Sequence, residues 1–205
     1  MASLREKKKR RVRADILAAA AGRIDTEGYR NANMRDIAAE AEVAYQTLYN
    51  YFPSKAHLGL ALIAKDLAEP TDPGQEASDD PVAAIEGLAR SGMAFVNRYD
   101  RELWREVIAQ TIRSARGSRS ARGSVADQVD PKIGERVRVL LDNARQRGDL
   151  DAYLDTDALA QVIESLIESA FLNLILDDGQ DPQAAASDVA RRIALVVDPH
   201  RRGTV

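Results

Sequence analysis

The stretch 34–52 constrains the fold more than any other part of the chain, because its pattern is that of two short helices joined by a tight turn. Asn33 is a good N-cap for the first helix, and Asp36 at the third helical position favours the positive end of the helix dipole. Leu48 and Phe52, four residues apart, give the second helix an apolar face. The pattern predicts a helix-turn-helix, in which the second helix lies in the major groove of DNA.

Three segments make this prediction more specific: Asp-Ile-Ala at 36–38, Val43, and Thr-Leu-Tyr-Asn-Tyr-Phe-Pro-Ser-Lys at 47–55. Together they closely resemble the DNA-binding end of the TetR family of bacterial transcriptional regulators, and the resemblance covers residues 10 to 65. It implies an all-helical homodimer that represses transcription from a palindromic operator in double-stranded DNA. It also implies that a small-molecule effector releases the protein from the operator.

Two residues depart from the family pattern. Glu42 stands in the turn, where the family usually has Gly, and Ala44 stands at the start of the second helix, where the family usually has Ser. If the turn holds Glu42 at positive φ, the cost relative to Gly is on the order of 1 kcal/mol. An Ala at an N-cap costs a similar amount. We therefore expect this unit to depend on its packing more than on ideal local chemistry.

The candidate DNA-binding residues lie at the start of the first helix of the motif, along the second, and just beyond it: Asn33, Arg35, Tyr45, Gln46, Thr47, Tyr49, Tyr51 and Lys55. Residues near the N-terminus of the recognition helix reach base edges. Gln46 can read adenine through a bidentate contact, and its two neighbours can contact a thymine methyl group or a phosphate. By resemblance, Lys55 and the two later tyrosines hold the DNA backbone. The alternatives are that one of these tyrosines packs in the core and that Lys55 is a solvated charge.

The charge is distributed unevenly along the chain. The net charge is -3, but residues 1–55 carry a net positive charge and the remainder is acidic. A basic end on an acidic body is typical of a nucleic-acid-binding unit joined to a part that does not bind nucleic acid. Residues 5–13 form a basic arm. Either it contacts phosphates or an adjacent minor groove, or it is a solvated terminus.

Apolar periodicity predicts helices through the rest of the chain, so the predicted fold class is all-α. We expect a three-helix DNA-binding domain over 1–55 and a connecting helix over 56–69. A larger helical domain for ligand binding and dimerisation is expected over 82–200. The segment 70–81 is rich in Pro, Gly and Asp, which predicts a loop at the domain boundary. The first helix is predicted over 12–27, ending at Gly28.

Two sets of residues in the larger domain are candidates for further sites. A pocket between helices is the usual ligand site in a helical bundle, and we expect its lining to include Met93, Tyr99, Trp104, Val107 and Phe171, unless these are plain core. Wide apolar stripes on the last two helices predict a two-fold four-helix interface, against the alternative of an internal helix pair. Its candidate residues are Leu159, Val162, Ile163, Leu166, Ile167, Ala170, Phe171, Leu174, Val189 and Ile193.

No arrangement of nucleophile, base and orienting group stands out, so we do not expect an enzyme. The chain has no Cys and only two His, and we expect neither a metal nor a cofactor. No uninterrupted apolar run is long enough to span a membrane, and no apolar signal core follows the basic start, so we expect a cytoplasmic protein. The prediction is a ligand-responsive transcriptional regulator. The alternative is a DNA-bound architectural or protein-interaction factor without a ligand.

Overall fold

The computed structural model describes residues 3–67, 78–115 and 133–202. Within these ranges the regular structure is helical, and the predicted all-α fold is confirmed. The predicted loop residues 70–77 lie outside the described residues. The nine α-helices of the described ranges, in chain order, are α1 (Leu4–Asn31), α2 (Met34–Glu40), α3 (Tyr45–Tyr51), α4 (Lys55–Leu67), α5 (Pro81–Val96), α6 (Arg101–Ala115), α7 (Ile133–Arg147), α8 (Thr156–Leu176) and α9 (Pro182–Val197).

The chain divides into two compact units. The first contains α1 to α4 together with α6 from Glu102 onward, and the second contains α5 and α7 to α9. The domain boundaries expected from the sequence grouped α6 with the second unit. In the first unit, a Cβ built on Gly59 of α4 would lie 3.4 Å from Leu103 and 3.5 Å from Val107 of α6. This close approach of two helices explains why α6 belongs with the first unit.

Helix α1 begins earlier than predicted. Its start at Leu4 instead of Val12 follows from a capping box, in which the Ser3 hydroxyl accepts from the Glu6 backbone N–H and the Glu6 carboxylate accepts from that of Ser3. The basic arm is therefore the first part of a long helix. Gly28 interrupts α1 at φ 80°, a conformation that glycine adopts without strain. The predicted core residues of this helix, Ile16, Leu17 and Ile24, are buried.

In the second unit, α9 packs against α5 and α8, and α8 packs against α7. Each of α5, α8 and α9 has an aspartate N-cap whose side chain accepts a backbone N–H of the first turn: Asp80, Asp155 and Asp181. Pro81 occupies the first turn of α5, directly after the N-cap Asp80. Arg201 near the C-terminus pairs with Asp80 at 2.8 Å. This ion pair joins the end of the chain to the start of α5.

Helix α8 has the composition of a membrane span as well as that of a core helix. A window of it reaches a mean hydropathy of 1.5, so by length and composition alone α8 could cross a membrane. The sequence reasoning missed this, because Glu164 and Glu168 interrupt the apolar run without lowering the average enough. The core helix of a soluble protein passes the same test; α8 packs between α7 and α9, and 33% of this window is buried within the subunit.

Candidate DNA-binding interface

The turn between α2 and α3 shows both departures anticipated from the sequence. Glu42 has φ 53°, the left-handed conformation that favours glycine. Its backbone N–H donates to the Ala39 carbonyl at 3.1 Å, and that of Val43 donates to Ala38 at 3.0 Å. Ala44 is the N-cap of α3 and offers no side-chain hydrogen bond. The turn is therefore held by backbone hydrogen bonds, with a strained residue and an uncapped helix start.

Packing beneath the turn orients the recognition helix. Ile37 and Ala38 of α2 are buried, and α2 packs against α3. Leu48 and Phe52, the predicted apolar face of the second helix, are also buried. Since this face of α3 is fixed in the core, its opposite face is turned to solvent.

Four polar side chains occupy the outer side of α3. They form two pairs, and the two members of each pair are one helical turn apart. Tyr45 is 41% exposed, and its hydroxyl donates to the Tyr49 hydroxyl at 3.1 Å, while the two rings meet edge to face at 4.8 Å. Either hydroxyl can donate in this pair, and when Tyr49 donates, the hydrogen bond to Tyr45 is the main cause that raises the pKa of Tyr49 above its ordinary value. The Gln46 side-chain amide donates to the Asn50 side-chain oxygen at 3.4 Å. Asn50 was missed by the sequence reasoning, although its spacing of four from Gln46 on the outer face is a visible signal.

The start of α2 contributes to the same surface. The Arg35 guanidinium lies 5.5 Å from the centre of the Tyr45 ring, within the range of a cation–π contact. The side-chain oxygen of Asn33 accepts the backbone N–H groups of Arg35 and Asp36, and its amide donates to the Asp36 carboxylate. The predicted N-cap is confirmed. Because Asn33 is engaged in this cap, its observed role is structural, and its contact with DNA stays a prediction.

Lys55 at the start of α4 is held against the end of α1. Its Nζ donates to the Arg30 carbonyl at 3.1 Å and lies 4.4 Å from the centre of the Tyr29 ring. Thr47 and Tyr51 are half-buried. Nearby, the Ser54 hydroxyl and His57 Nδ1 are 2.8 Å apart.

A buried two-helix scaffold that presents an outer row of phenols and carboxamides beside a guanidinium is a helix-turn-helix DNA-binding unit. Residues 16–62 match the family described as "Bacterial regulatory proteins, tetR family". The chain is 30% identical over 196 residues to the HTH-type transcriptional repressor KstR of Mycolicibacterium smegmatis, covering 94% of this chain and 86% of that protein. KstR of Mycobacterium tuberculosis is 29% identical, covering 94% and 80%. This chain belongs to the TetR family and is a DNA-binding transcriptional regulator.

Solved structures agree with the fold. A TetR transcription regulator from Haloarcula marismortui superposes with a TM-score of 0.62 at 16% identity, covering 93% of this chain and 98% of the other. A TetR transcriptional regulator from Rhodococcus sp. RHA1 gives a TM-score of 0.57 at 21% identity, covering 93% and 97%. At these identities the likeness concerns the fold alone.

The five predicted ligand-binding residues do not come together in one described pocket. Trp104 and Val107 are buried in the first unit, whereas Met93 and Tyr99 are buried and Phe171 half-buried in the second. A groove of about 490 Å³ with a mixed polar and apolar lining lies between α5 and α9 instead, formed by Arg90, Ser91, Ala94, Asn97, Pro182, Gln183, Ala186 and Ser187. None of the five predicted residues lines it. Their role in effector binding stays a prediction.

The ten predicted dimer residues divide by burial. Six are less than a tenth exposed within the subunit, so they belong to its own core: Leu159, Ile163, Ile167, Leu174, Val189 and Ile193. For these six, the interface role predicted from the sequence needs correction, since α7, α8 and α9 already cover them. Val162 is 47% exposed, and Leu166, Ala170 and Phe171 are half-buried. These four can still contact a second copy.

Proposed function

We propose that the protein is a cytoplasmic homodimeric repressor that reads a palindromic operator with two copies of α3 and leaves it when a small molecule binds. The observation that supports this proposal most strongly is the outer face of α3. Tyr45, Gln46 and Asn50 are arranged there by packing and by mutual contacts, and they point away from the core. Dimers are expected because one recognition helix reads few bases, and two half-sites lie about 34–36 Å apart on DNA.

Gln46 and Asn50 are the proposed base-reading pair. A carboxamide can contact adenine with one donor and one acceptor. With the Gln46 amide donating to Asn50, the Gln46 oxygen and the Asn50 amide remain available for base edges. We assign Tyr45 to a thymine methyl group, and Lys55 and Arg35 to phosphates. Phosphate contacts set position without reading sequence.

The proposed dimer surface is the exposed side of α8. Val162, Ser165, Ser169 and Leu176 follow one another at helical spacing and are exposed. Uncharged residues dominate this side of the helix, unlike the neighbouring side that carries Glu164 and Glu168. Interfaces are depleted of charge at their centre. The exposed members of this row are therefore better candidates than the six buried residues corrected above.

The proposed effector is an aliphatic or mixed molecule. The chain has only three Phe and one Trp, which gives few rings on which a flat polycyclic compound could stack. One protein of the same fold, FadR of Bacillus subtilis, was solved in complex with stearoyl-CoA, at a TM-score of 0.55 and 18% identity. An effector acts only if it binds the state that has left the operator more tightly than the bound state.

Fluorescence anisotropy tests the proposal with DNA from upstream of the protein's own gene and with a scrambled duplex of equal length, over a salt series. A preference of about a thousandfold or more for the upstream DNA is expected of a specific regulator. Gln46→Ala and Tyr45→Ala should reduce this preference, whereas Lys55→Ala should weaken binding to both duplexes alike. Equal losses on both duplexes for Gln46→Ala would remove it from the base-reading set. Weak binding of the wild type to each upstream fragment tried would contradict the proposal.

A further inference from the structure

The first turns of α1 form a basic segment that the family match does not include. The match begins at residue 16, whereas residues 5–13 contain seven Lys or Arg and a single acidic residue, Glu6. Glu6 is used in the capping box with Ser3. Within the described part of the chain, none of the seven cations forms an ion pair. This positive charge is therefore not neutralised by the protein around it.

Because the segment is helical, its charges fall into rows. Arg5, Lys9 and Arg13 are spaced by four residues and share one side of α1. The Arg13 guanidinium lies 5.4 Å from the centre of the Phe52 ring, and Phe52 is the C-cap of the recognition helix α3. The row thus lies on the side of α1 that faces α3. The next positions in it, Lys9 and Arg5, are about 6 and 12 Å further along the helix axis.

A second pair of cations lies on the other side of the same helix. Lys7 and Arg11 are also four residues apart, and they line a surface depression with Leu4, which is 86% exposed, and Asp15. At about 100° per residue, Lys7 and Arg11 lie roughly 120–160° around the helix from Arg13, which contacts Phe52. Lys8 lines the same depression. The pairs Arg5–Lys9 and Lys7–Arg11 each contain one Lys and one Arg, and they differ in the side of the helix on which they lie.

We propose that Arg5 and Lys9 bind DNA phosphates that flank the half-site read by α3. The inference rests on the proposed function and extends its DNA contacts beyond the helix-turn-helix. Like charges four residues apart destabilise a helix, and a polyanion alongside the row removes that repulsion. Because the segment is a helix anchored next to α3, its contacts go to the backbone beside the half-site and add affinity without adding sequence preference.

Two matched double variants test the row: Arg5→Gln with Lys9→Gln, and Lys7→Gln with Arg11→Gln. Each removes two charges four residues apart and keeps residues that favour a helix. Binding is measured by anisotropy on the upstream duplex and on a random duplex from low to high salt. Loss of two phosphate contacts in each protomer, four in the dimer, should reduce the slope of log affinity against log salt by about 3.6. If affinity at 1 M salt is unchanged, this lowers affinity at 0.15 M by about 900-fold.

The Lys7 and Arg11 variant should leave the slope close to that of the wild type, and the charge-retaining variant Arg5→Lys with Lys9→Arg should restore it. Equal slopes for the two double variants would overturn the proposal, because the charge would then act as a diffuse field with no preferred side. An unchanged slope for Arg5→Gln with Lys9→Gln would overturn it as well. Circular dichroism confirms that each variant keeps its helices before binding is compared.

Failure of this inference is distinguishable from failure of the proposed function. Phosphate contacts form on any sequence, so the random duplex reports on the row even when no operator has been found. A wild-type protein without preference for upstream DNA would count against the repressor, while a difference between the two variants on random DNA would still support the row.

Discussion

Replacing Glu42 by Gly should stabilise the first unit, because the backbone at this position is held at φ 53°. The left-handed conformation costs an L-residue roughly 1–2 kcal/mol of stability, and glycine avoids this cost. Glycine also destabilises the fold by about 0.5–1 kcal/mol, because it has more conformational freedom in the unfolded chain. The Glu42 side chain is exposed and makes no hydrogen bond or ion pair in the described part of the chain. The expected net gain is therefore about 0.5–1 kcal/mol, or about 2 °C in the melting temperature of a chain this long.

Urea unfolding followed by circular dichroism at a fixed protomer concentration measures this gain. Glu42→Gln is the matched control, since it removes the charge and keeps the strained backbone. Glu42→Asn should fall between the two, because Asn tolerates the left-handed region better than other non-glycine residues. If the Gly variant is no more stable than the Gln variant, the turn is not strained as its φ suggests, and the effect of position 42 comes from its charge.

Three further predictions, one of them with a matched control variant, have defined outcomes. Ala44→Ser should add about 1 kcal/mol by supplying the missing N-cap of α3, read out by the same urea titration. Val162→Glu should weaken self-association by about 100-fold in sedimentation equilibrium, because two carboxylates would be buried across a two-fold interface. Val139→Glu on α7, where the valine is 45% exposed against 47% for Val162, should leave association unchanged. Below about pH 4 the wild type should lose the stability that the Asp151 carboxylate contributes. The Asp151→Asn variant lacks this carboxylate, so its melting temperature should fall less as the pH is lowered.

The sign of the last effect follows from the surroundings of Asp151. The Tyr153 backbone N–H first, and the Arg202 guanidinium second, lower the pKa of this carboxyl below its ordinary value. A depressed carboxyl pKa stabilises the fold above the pKa of the unfolded chain, and the contribution disappears as the pH falls through the folded-state pKa. Arg202 lies near the C-terminus, at 3.4 Å from the carboxylate. A pH curve of Asp151→Asn parallel to that of the wild type would refute this assignment.

Local chemistry made much of the fold predictable from the sequence. The bounds of helix α9 are visible in the sequence, because Pro182 marks its first turn and a regular apolar spacing runs to Val197. The positive φ at Glu42 was anticipated from the family pattern alone. The early start of α1 was missed, although Ser3 and Glu6 have the spacing of a capping box, because the run of cations resembled a solvated arm.

Partners distant in the sequence could not be predicted in the same way. A wide apolar stripe on α8 is covered on one flank by its own subunit and open on the other, and periodicity does not say which flank is which. Hence Leu159 and Ile163 were assigned to a dimer interface, although they are core. Helix α6 meets the first unit at Gly59 of α4, beside which Leu103 and Val107 lie. Such a contact between distant residues leaves no periodic signal.

The position of Lys55 suggests how α1 and the recognition unit act together on DNA. An ammonium group has three donors, and one of them is used for the Arg30 carbonyl just after the interruption at Gly28. A phosphate contact made by Lys55 would therefore be anchored to the end of α1. Because such a side chain is already ordered before binding, the entropic cost of immobilising it on DNA is lower by about 0.5–1.5 kcal/mol. Since Arg13 holds an earlier part of α1 against Phe52, α1 supports both ends of the proposed interface and does more than brace its core.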